Sequence, residues 1–74
     1  MSDDMFYSGK VGDIEWKGTL MINEVGEYLV GGARGPDGKM DLILDLLSKG
    51  EDESIADFVN GVLPAMYAIH AGKV

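Results

Sequence analysis

The sequence predicts a small α+β domain, in which a four-stranded antiparallel meander is followed by one C-terminal helix packed on the sheet. Three observations support this prediction. Apolar and polar residues alternate through 13–23, which is the period of a half-buried strand. Turn sequences separate that run from similar runs on either side. An apolar pattern of helical period then occupies 53–71. The 74 residues suffice for a single domain.

The first predicted hairpin joins a strand over 5–11 to a strand over 13–23. Because alternate side chains of a strand point to opposite faces, the apolar positions of the second strand are predicted to face the core. These positions are Ile14, Trp16, Gly18, Leu20 and Ile22. Residues 1–4 are predicted to form a short flexible tail.

The third strand is predicted over 27–33, and its Gly31-Gly32 pair indicates a bulge or a close approach of another backbone. The strongest turn signal of the chain, Gly-Pro-Asp-Gly, follows at 35–38. Because a turn of this kind typically joins two strands, 39–47 is predicted as the fourth strand, with its even positions inward. The leucines of this run also fit a helix. The alternative fold is therefore three strands followed by two helices.

The last element is predicted as a helix over 53–71, with Ser54 and Asp57 as a capping pair and a kink at Pro64. Its apolar side covers roughly 200° of the helical wheel, whereas a helix on one sheet typically needs about 100°. This surplus predicts a homodimer, formed through the helix or through the second face of the sheet. The helix residues predicted for the dimer interface are Phe58, Val62, Met66, Tyr67 and Ile69.

The composition restricts the classes of function. With 13 acidic and 6 basic residues the net charge is −7, which argues against direct binding to nucleic acid or to an anionic membrane. The chain has no cysteine and one histidine, so a thiolate or all-protein zinc site is not predicted. No signal-peptide pattern and no long apolar run is apparent, which predicts a cytoplasmic protein.

No catalytic motif emerges from the sequence. The glycine-rich stretch 32–39 differs from a phosphate-binding loop in its spacing, and Met40 stands where a magnesium-binding hydroxyl is required. His70 has no serine or cysteine beside it in the pattern that nucleophilic catalysis needs. We therefore predict a protein that is not an enzyme, with no catalytic residue, no metal ligand and no cofactor.

The predicted function is that of an interaction protein, which self-associates and binds a protein partner with a basic surface. The residues predicted to bind this partner alternate with the core positions, and they are Asp13, Glu15, Lys17, Met21, Asp41, Ile43 and Asp45. A narrower form is an inhibitor of a nucleic-acid-binding protein, of the kind that phages direct against host defences. One alternative is a small-ligand module with a pocket near Gly31, Gly32, Tyr28 and Tyr67. Another is a structural subunit of a homo-oligomeric assembly.

Overall fold

The computed structural model describes residues 5–72 and contains the predicted order of four strands and one helix. The elements are β1 (Phe6–Val11), β2 (Ile14–Asn23), β3 (Gly26–Gly35), β4 (Gly38–Asp45) and α1 (Ile55–His70). The strands form one sheet in the order β1-β2-β3-β4, and each neighbouring pair is antiparallel. The predicted α+β meander is thereby confirmed, and the alternative with a second helix is not formed. The predicted tail at 1–4 lies outside the described residues.

The connections between strands carry the chemistry of tight turns. Gly12 and Gly38 adopt φ values of 59° and 114°, which glycine reaches without the steric cost that a side chain would bring. In the β2–β3 connection, Asn23 Oδ1 accepts hydrogen bonds from the backbone N–H groups of Val25 and Gly26, at 2.8 and 3.1 Å. An asparagine that bonds its own following backbone is a strong turn former. These turns fix the register of the whole sheet.

The predicted close approach at the glycine pair is confirmed at Gly31. This residue pairs with Gly18 of β2, and a Cβ atom built on it would collide with the carbonyl oxygen of Lys17 and the Cα of Gly18. The colliding atoms belong to the backbone, so no rotamer change of a side chain could relieve the contact. Only glycine fits this position while β2 and β3 stay paired.

The core lies between the sheet and α1. Leu29, Leu42, Val59 and Leu63 are completely enclosed. Trp16, which was predicted to face the core, is also buried, and its indole ring lies against Gly9 of β1. Its Nε1 donates a hydrogen bond of 2.8 Å to Asn60 Oδ1 on α1. The full set of buried apolar residues is Ile14, Trp16, Leu29, Ala33, Met40, Leu42, Leu46, Phe58, Val59, Leu63 and Tyr67.

The helix begins with the predicted cap, because Ser54 Oγ accepts a hydrogen bond of 3.1 Å from the backbone N–H of Asp57. It runs as one element through Pro64, which is exposed, and it ends before Gly72 at φ 75°. The predicted bounds of 53–71 were slightly too wide. A helix N-cap of this type typically contributes about 1 kcal/mol to stability.

One predicted core position is wrong. Ile22 continues the alternation of β2 on the side of the core, yet 62% of its surface is exposed. The end of the β2–β3 hairpin, including Val25, is exposed on both faces. Alternation assigns a side chain to a face, but it does not say how far along the strand the covering helix extends.

Candidate interaction surface

The face of the sheet that points away from α1, called the outer face below, holds most of the residues predicted to bind a partner. Strand alternation and the sheet register place six of them there, and all six are exposed. They are Glu15, Lys17, Met21, Asp41, Ile43 and Asp45. The seventh, Asp13, is exposed in the turn between β1 and β2. The structure therefore brings together residues that lie up to 30 positions apart in the sequence.

An apolar row crosses all four strands on the outer face. It consists of Phe6, Thr19, Val30 and Ile43, which are successive cross-strand partners. The exposed fraction is 56% for Phe6, 40% for Val30 and 67% for Ile43. The pair of Met21 and Tyr28 lies beside this row on the same face. Within residues 5–72 no element covers the row, since α1 packs on the other side of the sheet.

The outer face carries a charged end next to the apolar row. One cross-strand row consists of Lys10, Glu15, Arg34 and Lys39, and the next contains Lys17 and Asp41. Together these six side chains, all exposed, make the charged end. Four are cations and two are carboxylates, for a formal charge of +2, whereas the whole chain carries −7. The outer face therefore has mixed charge, and the acidic groups in excess lie elsewhere on the chain.

The sequence analysis missed three members of the charged end, Lys10, Arg34 and Lys39. The signal was available in the Gly-Pro-Asp-Gly turn, because Arg34 and Lys39 flank it symmetrically and pair across it. A two-residue connection fixes this pairing. Lys10 and Glu15 are placed opposite each other by the tight turn at Gly12 in the same way.

Two adjoining depressions lie on the outer face. A shallow depression of about 950 Å³ is lined by the six residues of the charged end, by Ser8 and Gly32 of the same rows, and by further residues that include Trp16 and Met40 of the core and His70 of α1. A second one of about 760 Å³ adjoins it and is lined by Phe6, Thr19 and Val30, with Ser8, Lys17 and Gly32 shared between the two. Gly32 has no side chain to fill the space between Lys17 and Asp41, its cross-strand neighbours. The outer face thus offers a recess to a protruding side chain.

The helix residues predicted to form a dimer interface are mostly used within one copy of the chain. Phe58 and Tyr67 are buried in the core, and Val62 and Met66 are half-buried against it. Ile69 remains exposed, at 66%. The sheet covers more of α1 than the sequence analysis expected, so less apolar surface of the helix is left for association. The exposed apolar surface is instead prominent on the outer face.

Two polar side chains of α1 attach the helix to the β3–β4 hairpin. The hydroxyl of Tyr67 accepts a hydrogen bond of 2.7 Å from the backbone N–H of Asp37 and donates one of 3.0 Å to the carbonyl oxygen of Gly38. His70 Nε2 lies 3.2 Å from the carbonyl oxygen of Lys39. Tyr28 lies on the outer face and Tyr67 in the core, so these two tyrosines do not line a common pocket.

Over residues 5–72, no group of three or more histidine, cysteine, aspartate or glutamate side chains is arranged to hold a metal ion. In that range there is also no helix with the length and apolar character needed to cross a membrane.

Comparisons of the chain with protein-family models, with curated proteins and with solved structures found no match. The functional proposal consequently depends on the chain's own residues.

Proposed function

We propose that the chain is a non-enzymatic interaction protein and that its outer face binds a protein partner. The apolar row carries this proposal, because three large apolar side chains are 40–67% exposed on a face that no described element covers. Contiguous apolar surface of this kind typically marks a site of protein association. Charged side chains at its border match the polar rim of a reversible interface.

A narrower proposal is that the partner is a nucleic-acid-binding protein and that the chain inhibits it, as phage anti-defence proteins do. The net charge of −7 favours this class of partner through long-range attraction to its basic surface. On the outer face itself, the carboxylates available for contact are Glu15, Asp41 and Asp45, which share the face with four cations. Reversing Glu15, Asp41 and Asp45 together tests the idea. The inhibitor proposal requires that the triple variant and high salt each weaken binding strongly. Affinity that survives both changes would rule it out.

The broader proposal is tested by affinity capture from the native cellular context with a matched pair of variants. Ile43 on the outer face is 67% exposed and Ile69 on α1 is 66% exposed, so Ile43→Lys and Ile69→Lys make the same chemical change at equal exposure. We expect the wild type and Ile69→Lys to retain a stoichiometric partner that Ile43→Lys loses. Equal capture by both variants, or a wild type that retains neither another protein nor a second copy of the chain, would contradict the proposal.

A further inference from the structure

We propose that the outer face closes on the outer face of a second copy of the chain, in a twofold dimer whose axis runs parallel to the strands between β2 and β3. This inference rests on the proposed function, because it names the occupant of the same face. Three features carry it: the order of side chains along each cross-strand row, the distribution of charge, and the area of the face.

Rotation about the proposed axis sets each cross-strand row of one copy opposite the same row of the second copy. It also sets β1 opposite β4 and β2 opposite β3. In the apolar row, Phe6 then faces Ile43 of the second copy, and Thr19 faces its Val30. Met21 faces Tyr28 of the second copy. Sheets that pack face to face lie about 10 Å apart with their side chains interdigitated. The exposed apolar side chains of the outer face would therefore be covered in pairs, each pair occurring twice.

The same axis places opposite charges together at the charged end. Glu15 faces Arg34 of the second copy, and the symmetry repeats this pair. Lys17 faces the recess at Gly32 of the second copy, where Asp41 is the neighbouring carboxylate. Lys10 faces Lys39 of the second copy at the rim of the sheet, where both side chains extend into solvent and are screened.

The charges also favour this axis over a twofold axis that runs along the apolar row. An axis along the apolar row would reverse the direction of the strands and set Asp41 opposite Asp45 of the second copy. It would also remove the contact between Glu15 and Arg34, since Glu15 would face Asn23. Each axis sets one kind of like-charge pair together at an edge strand, but only the proposed axis also sets Glu15 opposite Arg34, so the charges favour it.

The area of the face predicts a reversible dimer. Four strands about 4.8 Å apart, over about seven residues of 3.3 Å each, cover roughly 20 by 20 Å. Two copies together would bury about 800 to 1,000 Å² of surface, which is the size of a transient interface. We therefore expect a dissociation constant in the micromolar range, and the dimer should be sought at protein concentrations of about 100 µM.

The decisive test uses two charge reversals, alone and mixed. Glu15→Arg sets two arginine pairs across the homodimer, and Arg34→Glu sets two glutamate pairs, so we expect each variant to dimerise at least about tenfold more weakly than the wild type. A mixture of the two variants restores both opposite-charge pairs, and we expect a heterodimer of nearly wild-type affinity. Sedimentation velocity measures all four samples, and circular dichroism confirms that each variant is folded.

Restoration on mixing separates contacts between copies from the pairing of Glu15 with Arg34 inside one copy, because mixing cannot repair an intramolecular defect. Failure of the mixture to dimerise, or a wild type that stays monomeric at about 100 µM, would overturn the inference. Dimerisation abolished by Ile69→Lys but not by Ile43→Lys would overturn it as well, since the helix would then be the interface. A monomeric wild type that still captures another protein through Ile43 would refute the dimer and leave the proposed function intact.

Discussion

Replacing Tyr67 by phenylalanine tests whether the contact between α1 and the β3–β4 hairpin stabilises the fold. The change removes one oxygen atom and leaves the buried ring in place against Gly35. It deletes the two hydrogen bonds that the hydroxyl makes, with the backbone N–H of Asp37 and the carbonyl oxygen of Gly38.

The expected loss follows from the two backbone groups that lose this partner. A hydrogen bond in a folded protein contributes about 1 kcal/mol net, and a backbone group left without a partner costs a similar amount. Because the site is only partly buried, water reaches part of it, and we expect the free energy of unfolding to fall by about 2 kcal/mol. For a domain of this size, 1 kcal/mol lowers Tm by about 4 to 8 °C, so the expected decrease is roughly 8 to 16 °C.

Urea and thermal unfolding of the two proteins, followed by circular dichroism at a concentration where the chain is monomeric, measures this loss. Tyr28→Phe is the matched control, because Tyr28 lies on the outer face and none of the hydrogen bonds described above involves its hydroxyl. We expect the control to unfold within about 0.5 kcal/mol of the wild type. A Tyr67→Phe protein as stable as the control would refute the reasoning.

Further predictions concern the core and the glycines. Asn60→Ala should destabilise the fold by about 1 to 3 kcal/mol, because the buried Trp16 Nε1 would lose its acceptor. Urea unfolding followed by the fluorescence of Trp16 measures this loss. An unchanged unfolding midpoint would show that the hydrogen bond is dispensable. Gly31→Ala should prevent or severely weaken folding through its collision with the backbone of β2. Gly61 lies on the exposed side of α1 with open space around it, so Gly61→Ala should stabilise the protein by up to about 1 kcal/mol. Thermal unfolding compares the two alanine variants. A Gly31→Ala protein more stable than Gly61→Ala would contradict both predictions.

The regular alternation of β2 and the Gly-Pro-Asp-Gly turn were sufficient to predict the meander. For 39–47 the turn had to decide, because the leucines of that run fit a helix equally well. The exposed fraction of a side chain was harder to predict than the face of the sheet or helix to which it points. Ile22 points to the side of the core but lies in an uncovered part of the hairpin, and Phe58 and Tyr67 fill a core whose size the helical wheel does not reveal.

The mixed charge of the outer face could not be predicted by considering each strand alone. Arg34 and Lys39 belong to different strands, and they join Glu15 on one row only through the pairing of β2, β3 and β4. The sequence analysis placed Glu15, Asp41 and Asp45 among the residues that bind a basic partner, because it followed two strands and not their neighbours. The side chains that a sheet presents to a partner form rows across the strands. The register of the sheet determines which residues share a row, so the composition of one strand does not predict the charge of the face.

The C-terminal helix α1 contacts the N-terminal strand β1, and this arrangement affects how the chain folds during synthesis. Each strand pairs with the one made just before it, so the sheet needs only short loops to assemble. The inner face, however, stays without its cover until residues 55–70 have left the ribosome. A nascent chain that ends before α1 would expose the apolar inner face in addition to the apolar row of the outer face, which is a form prone to aggregation. Completion of the helix is therefore the step that commits the chain to a stable fold, and premature termination before α1 would yield a product without a core.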